Sequence, residues 1–471
     1  MDIVGATRGS VPSVRAGGLE RSLRWLRVFR DPSANRRVFI AMLTVAAATG
    51  VVKLAAIAKE MVIAAQFGTG DQIDAFVIAF LLPSFLIGVV SSAFQAAVIP
   101  TYVQVRDQDG PGAARQLISN VTLSSCALLL TLTSFLALAA PATLPLLVSG
   151  FGPEKLWLTQ TLFFLLLPLV VLNGFTAIWG AALNAEERFI LVSLTPVATP
   201  ILIVLTLFAV GAGVGIYALP AGMIMGGVIE ASVLARRAHR QGLWVIPRWR
   251  RVHPATRTVM KQFVTMAVGA LFMSSTAVVD LSMAAMLGPG SVATLNYANR
   301  LVLFLLGFSS GAMSTVLLPH FAGMVARQDW VAVRDTLRTY LRWIAFTTIP
   351  LTAVLVWLSV PITRLMFERG AFSAEATLVV GGAQALYLIQ MPFYLMGIVL
   401  VRLISALKAN HLLMWGSALS VVVNIALNYA FMQWLGVSGI ALSTTVVYVV
   451  SFCFLWSVSS RLLKSAMASE A

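Results

Sequence analysis

Apolar stretches close to the ~20 residues that span a bilayer recur from residue 38 to residue 458, and the segments between them are short and polar. They lack the strict alternation of outer-membrane strands, so the pattern predicts helices. Twelve spans follow, near 38–58, 74–99, 117–138, 156–180, 190–211, 215–235, 262–287, 294–318, 339–360, 377–401, 412–433 and 438–458. Pro168, Pro196, Pro200, Pro220 and Pro392 interrupt several of them. Membrane helices tolerate such breaks where neighbours or cavity water satisfy the freed backbone groups, and each is equally readable as a simple kink. The fold class is an all-α polytopic membrane protein.

Lysine and arginine orient the spans. With the N-terminus inside, inside segments hold 27 of the 33, and outside loops hold only Lys155, Arg364 and Arg369. Lys53, Lys59 and Arg300 lie within spans or at their ends. The bias predicts both termini inside. It also accounts for the net charge of +15 and pI near 10.6, so no nucleic-acid partner is expected. A mean hydropathy of +0.89 excludes a water-soluble domain. The first 37 residues carry eight arginines and no apolar core, so they are not a signal peptide. Within them Leu19–Arg30 reads either as a basic amphipathic helix on the inner leaflet or as a plain basic tail.

The two halves of the chain resemble each other. Phe67-Gly-Thr-Gly70 matches Leu287-Gly-Pro-Gly290 at an offset of 220, and at that offset Glu60 falls on Asp280 and Asp74 on Thr294. Pro100 pairs with Pro319 at 219; Pro168 pairs with Pro392, and Ala182-Leu-Asn-Ala185 with Ala406-Leu-Lys-Ala409, at 224. Six spans is an even number, so the repeats are parallel, with a central cavity expected between them near mid-membrane. The predicted organisation is a basic tail (1–37), a six-helix bundle (38–235), a cytoplasmic linker (236–261), a second six-helix bundle (262–460) and a short tail (461–471). Trp244 and Trp249 in the linker are expected to anchor at headgroup level.

The candidate chemistry lies in Lys53–Phe76, KLAAIAKEMVIAAQFGTGDQIDAF. Ionisable groups in a membrane cost roughly 2.5–3.5 kcal/mol each on insertion, so they usually face a cavity and serve a function. Lys53 and Glu60 share a helix face, and Lys59 sits about 100° from Glu60. Snorkelling of Lys53, flanking roles for Lys59, Glu60 and Asp74, and inter-helix pairing of Asp280 and Arg300 are the structural alternatives. Glu230 and Arg402 read as interfacial. Cys126 and Cys453 fall in spans, and the four histidines in or beside loops without ligand spacing, so neither a disulfide nor a metal centre is expected. Walker, zinc, nucleophile-elbow and nucleotide motifs do not occur, so the chain does not read as an enzyme and no cofactor is expected. Acidic groups in the spans could couple Na⁺ or H⁺, and the sequence does not choose between them.

KEMVIAAQFGTGDQIDAFVIAFLLPSF resembles the first motif of the MurJ/MviN lipid II flippases, within the multidrug/oligosaccharidyl-lipid/polysaccharide exporter superfamily. Ser291–Pro319 and Leu365–Ser373 resemble two further family segments. The resemblance implies a bacterial inner-membrane flippase that moves an undecaprenyl-pyrophosphate-linked saccharide by alternating access. Its partners would be that lipid-linked saccharide and the membrane lipids; a monomer is compatible with it. It assigns substrate contacts to Lys53, Lys59, Glu60, Asp74, Thr294 and Arg300, with Asp280 as the repeat partner of Glu60. Three departures stand out. The family's Arg-Arg pair would fall on Ile87 and Gly88, its acidic residue before the second-half arginine is Asn299, and its two further spans after the twelfth have no counterpart. These suggest the same mechanism with a different saccharide, such as an exopolysaccharide unit.

A lipid pyrophosphate needs compensating cations in a low-dielectric cavity, which Lys53, Lys59 and Arg300 would supply. Glu60, Asp74 and Asp280 would hold those cations in the substrate's absence and so reset the transporter. Two alternatives remain: an ion-coupled small-molecule exporter, disfavoured by the surplus of cavity cations, and a membrane-embedded glycosyltransferase or polymerase, disfavoured by short outside loops.

Overall fold

A computed structural model describes residues 34–243 and 254–468, and every regular element among them is helical. Leu19–Arg30, Trp244 and Trp249 lie outside the described residues. The first half contains α1 (Ala34–Phe67), α2 (Asp71–Leu147), α3 (Pro153–Leu166), α4 (Pro168–Ala185), α5 (Phe189–Leu194), α6 (Ala198–Val214) and α7 (Ala218–Arg240). The second contains α8 (Pro254–Ala284), α9 (Ser291–Ala326), α10 (Trp330–Trp357), α11 (Ser359–Phe367), α12 (Ala374–Leu388), α13 (Met391–Ala406), α14 (Asn410–Leu435) and α15 (Val437–Ala468).

Among the described residues, eight helical stretches are long and apolar enough to cross a membrane. One of them, α2, has 77 residues and breaks at Gly110, with φ 86° and ψ 171°. At about 1.5 Å per residue it would run about 115 Å unbroken, several bilayer cores, so it makes two crossings folded at Gly110-Pro111. Helices α1, α8 and α9, of 34, 31 and 36 residues, are each long enough for one more. The described chain thus traces the twelve crossings that the hydropathy pattern predicts.

The prolines that interrupt the pattern mark restarts. Pro168 opens α4, Pro392 lies in the first turn of α13, and Pro196 lies in a 3-10 turn, Thr195–Val197, between α5 and α6. Pro200 and Pro220 occupy the first turns of α6 and α7. A proline lacks an N–H, and the first turn of a helix has no intrahelical use for one. The internal repeat persists in the backbone: Gly215 and Gly436, closing α6 and α14, have φ of 59° and 57° with ψ −133° in both.

In the first half α2 packs on α3 and α4, α4 on α7, and α6 on α7; in the second α9 packs on α12 and α13, and α15 on α12, α13 and α14. The halves meet where α2 packs on α8 and α9, and α11 on α1. Two buried apolar clusters bridge them. At the end where α1 finishes (the distal end), Ile73 and Ala75 join Ala285, Val292 and Phe372. At the opposite, proximal end, Phe94, Ala97 and Val98 join Val259 and Phe263. The Phe94 and Phe263 rings pack at a 31° tilt with centroids 4.4 Å apart. Between these two closures lies the site.

Candidate functional site

Four of the predicted residues share one cavity of about 190 Å³. Lys53, Lys59 and Glu60 reach it from α1, Arg300 and Phe304 from α9, and Phe367 from α11. Lys53, Ala56, Ile57 and Glu60 line it at the i, i+3, i+4, i+7 spacing of one helix face. The Glu60 carboxylate, 7% exposed, is the hub. Its Oε1 lies 2.8 Å from Lys59 Nζ and 3.3 Å from Arg300 Nη2, so a cation from each half meets on one oxygen. The Lys53 ammonium lies against α9, where a Cβ on Gly307 would stand 3.2 Å from Nζ. Among the described residues Lys53 has no carboxylate partner. Three cations against one carboxylate leave the cavity electropositive.

Asp74 and Thr294 sit outside this cavity, in the distal closure. Asp74 is fully buried. Its Oδ2 accepts from Gly290 N–H and its Oδ1 from Ala293 N–H, both at 2.7 Å, so it caps the first turn of α9. Lys155 Nζ donates to the same carboxylate at 2.7 Å and to Asp71 at 2.6 Å, and it lies 4.0 Å from the Phe151 ring centre. Thr294 belongs to the turn that Asp74 caps and is buried. Gly290 allows the approach: its φ is +79°, and a Cβ would run into the carbonyl oxygen of Thr69. A further strand of the closure is the Ala371 N–H donating to Ala65 O at 2.7 Å.

Asp280 lies apart from the cavity as well, inside the second half. It accepts from Asn424 Nδ2 at 2.9 Å, Asn428 Nδ2 at 2.7 Å and Thr444 Oγ1 at 3.0 Å. The amide oxygens of Asn424 and Asn428 are buried with no hydrogen-bond partner among the described residues. Of the three acids expected to hold the cavity's cations, Glu60 does so; Asp74 holds Lys155, and Asp280 holds only amides and a hydroxyl.

The proximal closure has its own polar rim. Tyr102 Oη donates to Glu186 Oε1 at 2.8 Å, and Thr101 Oγ1 lies 3.4 Å from Gln262 Oε1 across the halves. Burial first, then the Glu186 carboxylate, push the Tyr102 phenol above its ordinary pKa, so it stays a donor.

The sequence assigns Lys155, Gly290, Asn424 and Thr444 no site role. Lys155 reads there as a loop charge because its partners are 81 and 84 residues away. Asn424 and Asn428, four apart in an apolar run, did carry a signal: two amides on one face of a membrane helix.

A family model described as lipid II flippase MurJ matches residues 63–470. The chain belongs to the lipid II flippase MurJ family. A probable lipid II flippase MurJ from Synechocystis is 29% identical over 442 residues, covering 89% of this chain and 81% of that protein. The lipid II flippase MurJ of Burkholderia cenocepacia is 26% identical over 87% of this chain and 81% of its own length. Among solved structures, a lipid II flippase MurJ in an inward closed conformation superposes with a TM-score of 0.76, at 23% identity over 88% of this chain and 87% of that one. An inward-facing multidrug MATE transporter gives 0.73 at 12% identity, over 91% and 96%. The structural likenesses carry the fold. MurJ-family members are transporters rather than enzymes, and this chain is a multi-pass membrane flippase of that family.

Proposed function

We propose that the protein carries a pyrophosphate-linked saccharide lipid, lipid II or a close relative, across the bacterial inner membrane by alternating access. The observation that supports this best is the shared Glu60 oxygen, where Lys59 of one half and Arg300 of the other converge in an electropositive cavity. A pyrophosphate entering that cavity displaces Glu60 as counter-ion and gains charge-assisted bonds from both halves. The volume of about 190 Å³ is below the ~300–1,000 Å³ of ordinary ligand pockets, so the closed form holds no saccharide headgroup and must open to admit one. With both termini inside, as the lysine and arginine bias favours, the distal closure faces outward. Lys53, Lys59, Glu60 and Arg300 are the substrate contacts in this reading, while Asp74 and Thr294 act through the distal closure. Asp280, with two unpartnered amide oxygens and a hydroxyl beside it, is the acidic group suited to a coupling Na⁺ or H⁺.

Expression in a MurJ-depleted bacterium tests the substrate. Growth restored by the wild type but not by Lys59→Ala or Arg300→Ala would support lipid II and the cation grip together. Failure of the wild type, with loss of an exopolysaccharide on deletion in the native host, would move the substrate to another lipid-linked saccharide. Full transport by both alanine variants would refute the grip.

A further inference from the structure

The central cavity makes no use of Glu230. It sits twelve residues after the start of α7 at Ala218 and ten before its end at Arg240. That is about 15–18 Å from either end of the helix, and about 9 Å before Arg236, where the predicted cytoplasmic linker begins. It lines a separate cavity of about 180 Å³ within the first half, together with Asn173 and Thr176 of α4 and Thr199 of α6. Phe80 and Ile87 of α2 close another wall, and no second ionisable side chain lines the space. Among the described residues Glu230 makes no ion pair and no hydrogen bond.

None of the polar neighbours bonds the carboxylate. Asn173 Nδ2 donates one of its two N–H groups to Leu169 O at 2.9 Å, and Thr176 Oγ1 donates to Asn173 O at 3.0 Å. The Glu230 carboxylate, the Asn173 amide oxygen and the Thr176 and Thr199 hydroxyls put several oxygens on one cavity. A carboxylate within a membrane helix and without an ion pair is short of one positive charge. Hard cations are bound by such oxygen sets, and a single carboxylate matches one charge rather than the several that divalent ions collect. At ~30 Å³ per water, the volume admits an ion with part of its hydration shell, or a water path for a proton.

We propose that this cavity is an ion site of the first half that takes one positive charge on Glu230, as a proton or a monovalent metal ion. Loading would bear on α2, which supplies Phe80 and Ile87 here and reaches both closures. The site is independent of which saccharide the central cavity carries.

The test uses the full chain in lipid nanodiscs. Infrared difference spectra through a pH titration read the carbonyl stretch of a protonated carboxyl in wild type, Glu230→Gln and Glu230→Asp. A band that Glu230→Gln loses and the charge-preserving Glu230→Asp keeps identifies a proton. Thermal unfolding in NaCl against choline chloride, in an Asp280→Asn background, reads sodium binding. A sodium-dependent rise in midpoint that Asp280→Asn retains and the Asp280→Asn, Glu230→Gln pair loses identifies a metal ion. If Glu230→Gln alters neither the spectra nor the sodium response, the proposal is overturned. Neither readout involves flipping, so failure here is separable from failure of the substrate assignment.

Discussion

Asp74→Asn should open the distal closure. Asp74 is buried and joins three partners at 2.7 Å: Lys155 from the first turn of α3 and two backbone N–H groups at the start of α9. An asparagine in its place keeps one acceptor oxygen. It turns an N–H toward the other backbone donor and leaves Lys155 with the exposed Asp71 as its remaining counter-charge. The bonds to Gly290 and Ala293 exist only while the halves touch distally, so their loss falls on the closed form. Losing a hydrogen bond to a charged group typically costs about 1.5–3 kcal/mol. At about 1.4 kcal/mol per decade, the closed-to-open ratio should drop roughly tenfold to a hundredfold. Pulsed electron paramagnetic resonance can read this from spin labels at Glu154→Cys and Glu375→Cys, both exposed distal positions, with Cys126 and Cys453 replaced by serine. The distance distribution should shift to a longer population in Asp74→Asn. A distribution as narrow as the wild type's would refute the claim that this carboxylate holds the halves together.

Glu60→Gln should leave Lys59 and Arg300 without a carboxylate; anionic lipid should then bind more tightly but turn over more slowly, by about tenfold each if one charge-assisted contact of ~1.5 kcal/mol is involved, as measured by lipid binding against flipping in proteoliposomes. Gly307→Val should displace the Lys53 ammonium from its seat on α9 and lower transport, whereas Gly307→Ala, whose Cβ meets only the flexible end of Lys53, should be tolerated; growth rescue separates the two. Phe94→Ala should loosen the proximal closure by about 3–5 kcal/mol and lengthen distances between labels at Gln108→Cys and Arg257→Cys, while distal distances stay fixed.

Much of this was legible beforehand because bilayer physics writes long signals. Twelve apolar stretches, lysine and arginine asymmetry and a repeat near 220 residues gave the crossing number and the two-half plan. The cavity was legible in part, since charges inside apolar helices are costly and few. Lys53, Glu60 and Arg300 stand out on those grounds. What stayed hidden were contacts between elements far apart in the chain. Nothing local marks Lys155 as the partner of Asp74, and no pattern shows that two backbone N–H groups of α9 need an acceptor from α2. Asp74 therefore read as a substrate contact, when its surroundings are those of a helix cap. For Glu230, read as interfacial, the sequence shows only a carboxylate near the inner end of a span; the cavity it shares with Asn173, Thr176 and Thr199 depends on packing between helices that no local pattern records.

The first crossing of α2 carries both closures. Asp74 and Ala75 engage the second half at one end, and Phe94 and Thr101 engage it about 30 Å away at the other. Pro83 lies buried between them, removing the backbone bond that would stiffen the rod there. A beam fastened at both ends and weakened near the middle can bend there, so either end can leave its seat while the other holds. The membrane's permeability barrier would then be guarded by a single helix that carries both seats.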